Sequence, residues 1–599
     1  MAIDIVYDKE TSVIGQQMTT SRNDLKGKGK LDTKDLRVIY PSEKNYIVKE
    51  GIVNSQRFEF HMYNRVSNNL ENGLFYSSES EQNKRLEDDL IELREWNENK
   101  SSLIEKTGLE RLISPIEQTL ANLDIDFNTK LSHVSLNINS DANDFVKKQP
   151  QSNRLQWSLA SKKWKTSIDN PIYRQIKNTG IIDIMKFVNN ETGFLSVFNA
   201  VSSRKNTLEA DNNDLLACIF GNGANYGVHR IASASDRSIG ILRDVNDMFI
   251  RPDTTEKANT VISDAIADLS IFNYWTINEK SPFGSVDGQK HTCRINTFKA
   301  RFSAKYFRKG KGVSAMTLVS NHVPLATTII SPNEYEGHFA FDLLYNNASE
   351  IQPKSLATDN HGINNVNFAI LDIFGYQFSP RYAKFKKIFD GLFEVELEDE
   401  QLMIRLKKQF NFNLIMQEWE CIQHIICSLS RKTTVQSTVI KKLSNSKRNN
   451  KTLAALREYD RIIKCIYILD YVDNKTLRQF VQQALNRGEA YHQLRRAIAS
   501  VNGNQFRGGD DYQIDQWNDC ARLIANCVIY YNSALLSGLV DKFEKENNQK
   551  AIDILTNLSP VAWGHILLGG NYSFEDKAAI TNLNNLLDDV DLLSDDDEI

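Results

Sequence analysis

Three carboxylates in this chain stand out by their surroundings. Asp287 lies in "FGSVDGQK", between small residues and just after an apolar run. Asp359 closes the short apolar run in "SLATDNHG", and Glu489 follows Gly488 in "LNRGEAYHQLRRAIA". Hard carboxylate oxygens suit Mg²⁺, which usually keeps a few protein acids beside waters and substrate phosphate. Two such ions, about 3.5–4 Å apart, can hold the attacking and leaving oxygens of an in-line displacement. Each acid also has a plainer reading. Asp-Gly is a common hairpin turn, and a glutamate at a helix start or break is favoured by the helix dipole. His492 and Arg496, three and seven residues beyond Glu489, share its helix face, where a histidine ordinarily packs or caps.

The intervening chain must bring these acids together. After Asp287, "GVSAMTLVSNH" and "VPLATTIIS" are β-rich runs that meet at Asn321 to Val323 as a hairpin would. A helical "YEGHFAFDLLYNNA" leads to the run ending in Asp359, followed by a helix-like "NNVNFAILDIF" and a possible strand in "YQFSP". Such alternation predicts one mixed sheet with the acids at or beside strand ends. Residues 58–128 read as helical, 141–164 as polar and poorly periodic, and 384–480 as helical and basic throughout. "SRNDLKGKGKLD" reads as a linker or flexible loop.

Composition narrows the classes. At 599 residues, with 41% hydrophobic and 25% charged, the chain predicts a soluble multidomain protein. No uninterrupted apolar run approaches a membrane span, and "MAIDIVYDKE" lacks the regions of a signal peptide, so the expectation is a cytoplasmic protein without a membrane partner. Seven scattered cysteines without Cys-x-x-Cys predict reduced thiols. The net charge of −4 hides basic stretches: residues 288–333 hold no acid, and "KKLSNSKRNNK" brings Lys441, Lys442 and Arg448. Such runs are ordinarily solvated surface; the sharper reading is contact with phosphates. "DDVDLLSDDDEI" forms an acidic tail.

The order of the acids, one after a strand-like run, one after a hairpin and crossover, one on a distant helix, is similar to that of RNase H-like polynucleotidyl transferases. The wording around them closely resembles the catalytic half of the Tn-three family of replicative DNA transposases. "GNGANYGVHRIASAS" is similar to the family segment before the first acid, "SVDGQ" to its Ser-Ser-Asp-Gly-Gln, "ATDNHG" to its Thr-Asp-Thr-His-Gly, and "FGYQFSPR" to the phrase that follows. The run "LSNSKRNNKTLAALREYDRIIKCIYILDYVDNKTLRQFVQQALNRGEAYHQL" resembles the approach to the catalytic glutamate, and "LSPVAWGHILLGGNYSF" the C-terminal signature. Val286, Asn360 and Tyr459-Asp460 depart from the family wording without removing a carboxylate.

The resemblance spans residues 58–574 and implies an α/β, mostly helical fold: an RNase H-like DDE core interrupted by an α-helical insertion and preceded by a helical scaffold. The implied divisions are a variable segment (1–57), a scaffold and dimerisation region (58–215), the first part of the core (216–383), the insertion (384–480), C-terminal core helices (481–580) and the acidic tail (581–599). It implies a bacterial DDE transposase that cleaves transposon ends and transfers the 3′ hydroxyls to target DNA. Asp287, Asp359 and Glu489 would be catalytic acids and ligands of two Mg²⁺ ions, for which Mn²⁺ can substitute. The implied partners are terminal inverted repeats, target DNA and a second copy of the chain. Asn225, Tyr226, His229 and Arg230 form the expected DNA-facing segment; Gln289, His361, His492 and Arg496 are candidates to support the acids or touch phosphate, and Lys441, Lys442 and Arg448 to touch the DNA backbone. Family members usually carry several hundred further N-terminal residues that recognise the ends, so the alternative is a truncated, non-catalytic DNA-binding or regulatory derivative.

Overall fold

The segment 283–293 changes character halfway. Phe283, Gly284, Ser285 and Val286 are all buried, whereas Asp287, Gly288 and Lys290 are half-buried. In the computed structural model these residues form strand β1 (Phe283–Cys293), the middle of a mixed sheet. The described residues are 5–7, 12–28, 38–39, 41–71, 73–77, 79–80, 83–149, 155–158, 171–201, 209–364, 366–398, 401–445 and 450–575. Arg448 and the acidic tail lie outside them.

The other main strands are β2 (Lys311–Ser320), β3 (Val323–Ile330), β4 (Ser355–Thr358) and β5 (Gln377–Phe378), in the order β3-β2-β1-β4-β5. The β3–β2 and β2–β1 pairs are antiparallel; β1–β4 and β4–β5 are parallel. Nearly every β2 residue is buried, as a strand covered on both faces requires. The β2–β3 hairpin turns through Asn321 (φ 45°) and His322 (φ 70°), the paired positive φ values that a two-residue turn needs to match strand twist. The expected hairpin, crossover and later strands are therefore all present.

The chain divides into two compact units. One comprises Met1–Ile125, Ile373–Gly375 and Gln409–Ile463; the other comprises Asp126–Asp372, Tyr376–Lys408 and Lys464–Ile599. The first unit is mainly helical; within it Trp96 stacks on His424 at 4.8 Å, and His424 Nε2 lies 2.7 Å from the Ile91 carbonyl oxygen. The second contains the sheet and helices α1 (Asn212–Gly223), α2 (Gly227–Ser233), α3 (Pro252–Ala267), α4 (Lys475–Ala499) and α5 (Asp511–Lys545). Helix α4 packs on β1, β2 and β4, and α5 on β3 and α3. At one end of the sheet, Cys293, Val313, Ala315 and Ile329 pack with Ala499 of α4 and with Ile514 and Trp517 of α5 in one apolar cluster. By length and composition alone α5 could cross a membrane, but 89% of its most apolar window is buried by the protein, as in a core helix.

Three readings of the sequence need correction. Residues 384–480 are not helical throughout, because Phe393–Glu398 and Gln401–Leu406 form an antiparallel hairpin. Its second strand alternates exposed and buried residues, a two-residue period hidden by short length and high charge. Ser21–Lys28 continue a helix that begins at Val13 rather than a loop. Within residues 141–164, Val146–Lys148 and Leu155–Trp157 pair as a small hairpin.

Candidate active site

Asp287 and Gly288 lie within β1, so their expected role as a hairpin turn is overturned: the turn chemistry is overridden by strand pairing on both sides. The parallel register places Val286 beside Thr358. Asp287 and Asp359 are the next residues along the two neighbouring chains, which brings acids 72 positions apart in sequence to adjacent strands (359 − 287 = 72).

Glu489 stands inside the 25-residue helix α4, not at a start or break. Gly488 has a packing reason instead. A Cβ there would come within 2.9 Å of Ser285 Oγ, so the missing side chain lets α4 approach β1 two residues before Asp287. Ligand atoms of Asp287, Glu489 and His492 consequently all lie within 4.8 Å of one another. His492 Nδ1 is 3.7 Å from Asp287 Oδ2. Asp287 Oδ1 accepts a 2.8 Å hydrogen bond from the Gly288 N–H.

Burial and the charges of Asp359, Glu336 and Glu489 push the Asp287 carboxyl up to about 7, against a smaller opposing pull from the Gly288 N–H. Burial, followed by the positive charges of Arg495, Arg496 and Lys290, pushes His492 down to about 3, so its imidazole is neutral at physiological pH. Behind it, the buried Gln289 amide donates to the His492 carbonyl at 2.7 Å, and Gln289 Oε1 lies 3.1 Å from His291 Nε2. His291 meets the Trp517 ring edge-on at 4.9 Å. The Gln289 side chain is thus hydrogen-bonded inside the protein.

Glu336, which sequence reasoning missed, is a fourth acid at this centre. It is buried, it raises the Asp287 carboxyl, and it forms an ion pair with Lys290. Ser314 Oγ donates to its Oε1 at 3.0 Å, and the Lys290 ammonium sits 4.7 Å from the Tyr306 ring centroid. Gly288 makes room for it, since a Cβ there would run into Glu336 Oε1 and lie 2.6 Å from Ser314 Oγ. The Asn364 and Asn367 amides each donate to the Gly337 carbonyl at 2.9 Å, tying the Glu336 turn to the segment after Asp359. The available signal was position: Glu334 and Glu336 are the first acids after the acid-free stretch 288–333.

The remaining candidates separate. Asn225 is buried at φ 62°, and its amide donates to the Gly503 and Gln505 carbonyls at 3.2 and 3.0 Å; that nitrogen is spent within the protein, not on DNA. The Tyr226 and Tyr572 hydroxyls are 3.2 Å apart. His229 and Arg230 are exposed, as is Arg496; Arg230 donates to Asn502 Oδ1 at 3.0 Å, and Arg243 Nη2 donates to His229 Nε2 at 2.6 Å. Lys441 is half-buried in the first unit. Lys442 is buried there in an ion pair with Asp89, with only 4% of its side chain exposed, which overturns its expected contact with DNA. His361 lies in a short 3₁₀ turn, and its side chain is outside the described residues.

The family pattern described as Tn3 transposase DDE domain matches residues 183–572, more than half of the chain. The chain is 25% identical over 512 residues to the transposase for transposon Tn1546 of Enterococcus faecium, covering 85% of this chain and 50% of that protein. It is 23% identical over 430 residues to the transposase for transposon gamma-delta of Escherichia coli (strain K12), covering 68% and 41%. To the transposase for transposon Tn2501 of Escherichia coli it is 25% identical over 417 residues, covering 67% and 40%. The chain spans half or less of the length of these relatives.

Proposed function

Since this chain belongs to the Tn3 transposase family, we propose that it carries the catalytic centre for cutting DNA at transposon ends and joining the freed 3′ hydroxyls to target DNA, in replicative transposition. The observation that carries this reading is that Asp287 and Glu489 lie with His492 within 4.8 Å, while Asp359 follows the adjacent parallel strand and opposes ionisation of Asp287. The strand order, three antiparallel strands followed by two parallel ones, supports an RNase H-like core interrupted between β5 and α4.

A divalent cation suits this donor set. Asp359, Glu336 and Glu489 all oppose ionisation of Asp287, while Lys290, the cation paired with Glu336, offsets part of that charge. Asp287, Asp359 and Glu489 would hold the metal, and the chemistry supplied there is Lewis-acid stabilisation of the attacking and leaving oxygens of a phosphodiester. The protein's own groups position and tune. Gln289 holds the backbone at His492, Gly488 sets the spacing between helix and strand, and neutral His492 faces the Asp287 carboxylate without competing as a cation. Exposed Arg496, two turns beyond Glu489, is available to a phosphate. Hydrolysis at the end and transesterification into the target are both displacements at phosphorus, so one centre serves both.

The test is a cleavage-and-joining assay on an oligonucleotide carrying an end sequence, with Mg²⁺. Cleavage and joined products from the wild-type chain, absent in Asp287→Asn, support the reading. Products that persist in that variant contradict it.

A further inference from the structure

A second site lies in the same unit, where the segment after α1 meets the strand after α4. Asn222, Asn225, Tyr226, Val228, Arg507, Gln516 and Trp517 are among the residues that line a cleft of about 310 Å³. That volume is at the low end for ligand clefts. The lining combines aromatic rings with side-chain amides, and both kinds have orientations fixed by the protein. Tyr226 is braced by Tyr572, with ring centroids 5.8 Å apart. Asn222 and Gln516 both donate to Asn246 Oδ1, at 2.7 and 3.2 Å, and Asn225 donates to the carbonyls of Gly503 and Gln505. The amide nitrogens are therefore committed. Asn222 Oδ1, Asn225 Oδ1 and Gln516 Oε1 accept from no protein group among the described residues, and none is a sealed, unpartnered buried atom. Arg507 is exposed and has no ion-pair partner among the described residues.

Rings that stack, amide oxygens that accept, and a cation at the rim together fit a flat heterocycle bearing an amine, attached to a phosphate chain. We propose that this cleft takes a single unpaired nucleobase, one with an exocyclic amine, from the DNA strand processed at the acidic centre. The inference rests on the DNA-processing reading above. Strand Gln505–Phe506 pairs alongside Thr292–Cys293 of β1, five residues beyond Asp287. At about 3.3 Å per strand residue the cleft begins ~17 Å from that acid, a reach of roughly five base steps at 3.4 Å each. Removing one base from its stack costs a few kcal/mol, least where the strand is already single. The partner is therefore a base in a cut or frayed strand rather than in intact duplex.

The experiment uses the full chain and single-stranded oligonucleotides in which one abasic position is moved along the strand, with affinity read by fluorescence anisotropy at fixed salt. One abasic position should weaken binding by about tenfold, the fold-change expected from losing one stacked base, and restoring thymine there should recover less than restoring cytosine or adenine. Tyr226→Ala should lose about tenfold on the intact strand and nothing more on that abasic strand. Val228→Trp, which fills the cleft while keeping Tyr226, should do the same. If every abasic strand binds like the intact one, or if both variants weaken intact and abasic strands equally, the cleft is not a base site although the chain still binds DNA. Failure to bind any strand would overturn this proposal and the DNA-processing reading together.

Discussion

Acids are balanced in two very different ways in this protein. In the first unit, Asp89 pairs with Lys442, and the two side chains are 13% and 4% exposed. In the second, Asp214 and Arg237 make the same kind of match at 2.7 Å, with 5% and 13% exposed. At the acidic centre no such balance exists. Asp287, Asp359, Glu336 and Glu489 crowd together, Lys290 is paired to Glu336, and Asp287 holds its proton up to about 7. A matched buried pair needs nothing further, whereas an unmatched cluster is destabilising until a cation arrives. Charge balance therefore separates acids that hold the fold from those we propose serve the chemistry.

Breaking each side of that comparison should give different failures. The largest effect is expected at the unmatched cluster: Asp287→Asn, Asp359→Asn and Glu489→Gln should each cut metal-dependent cleavage by about a thousandfold, equivalent to a few kcal/mol of transition-state stabilisation, with circular dichroism unchanged. At the matched pair, Asp89→Asn leaves the Lys442 ammonium buried without its counter-charge. It should lower stability to urea by about 3 kcal/mol and leave the cleavage rate per folded molecule intact. Glu336→Gln frees Lys290 and changes the charge beside Asp287. A roughly tenfold fall in kcat with unchanged KM for DNA is expected, as for loss of a positioning interaction.

The smallest effect concerns pH. Folded Asp287 keeps its proton to about 7, while the unfolded chain releases it near 3.8. In the metal-free protein, stability therefore falls as pH rises between those values, because the folded state binds more protons there. Asp287→Asn lacks this penalty. Its metal-free Tm should exceed that of wild type by about 2 °C at pH 8, and the two should converge near pH 4. Equal Tm values at pH 8 would show that Asp287 is not burdened by its neighbours.

The sequence exposed the acids and most of the sheet, and the reason is local. The β3 run is rich in β-branched residues and joins β2 through a polar turn, and Asp359 follows a strand only four residues long, so short-range pattern sufficed. What stayed hidden depends on distant pairing. Asp287-Gly288 has the composition of a turn and is a strand because β2 and β4 flank it. Gly488 looks like a helix break and is instead a contact with Ser285, visible only once helix and strand meet. Lys442 sits in a basic run that reads as surface, yet its partner Asp89 lies 353 residues away. Glu336 has no distinctive wording at all; the small residue opposite it, Gly288, makes its place.

The central claim, that the unmatched carboxylates form a cation centre, is tested most directly by titrating Mn²⁺ into the metal-free protein at pH 8 and following bound metal by electron paramagnetic resonance. The account predicts saturable binding by the wild-type chain and by Asp89→Asn, with binding lost or sharply weakened in Asp287→Asn, Asp359→Asn and Glu489→Gln. Equal Mn²⁺ uptake by wild type and all three of those variants would contradict it.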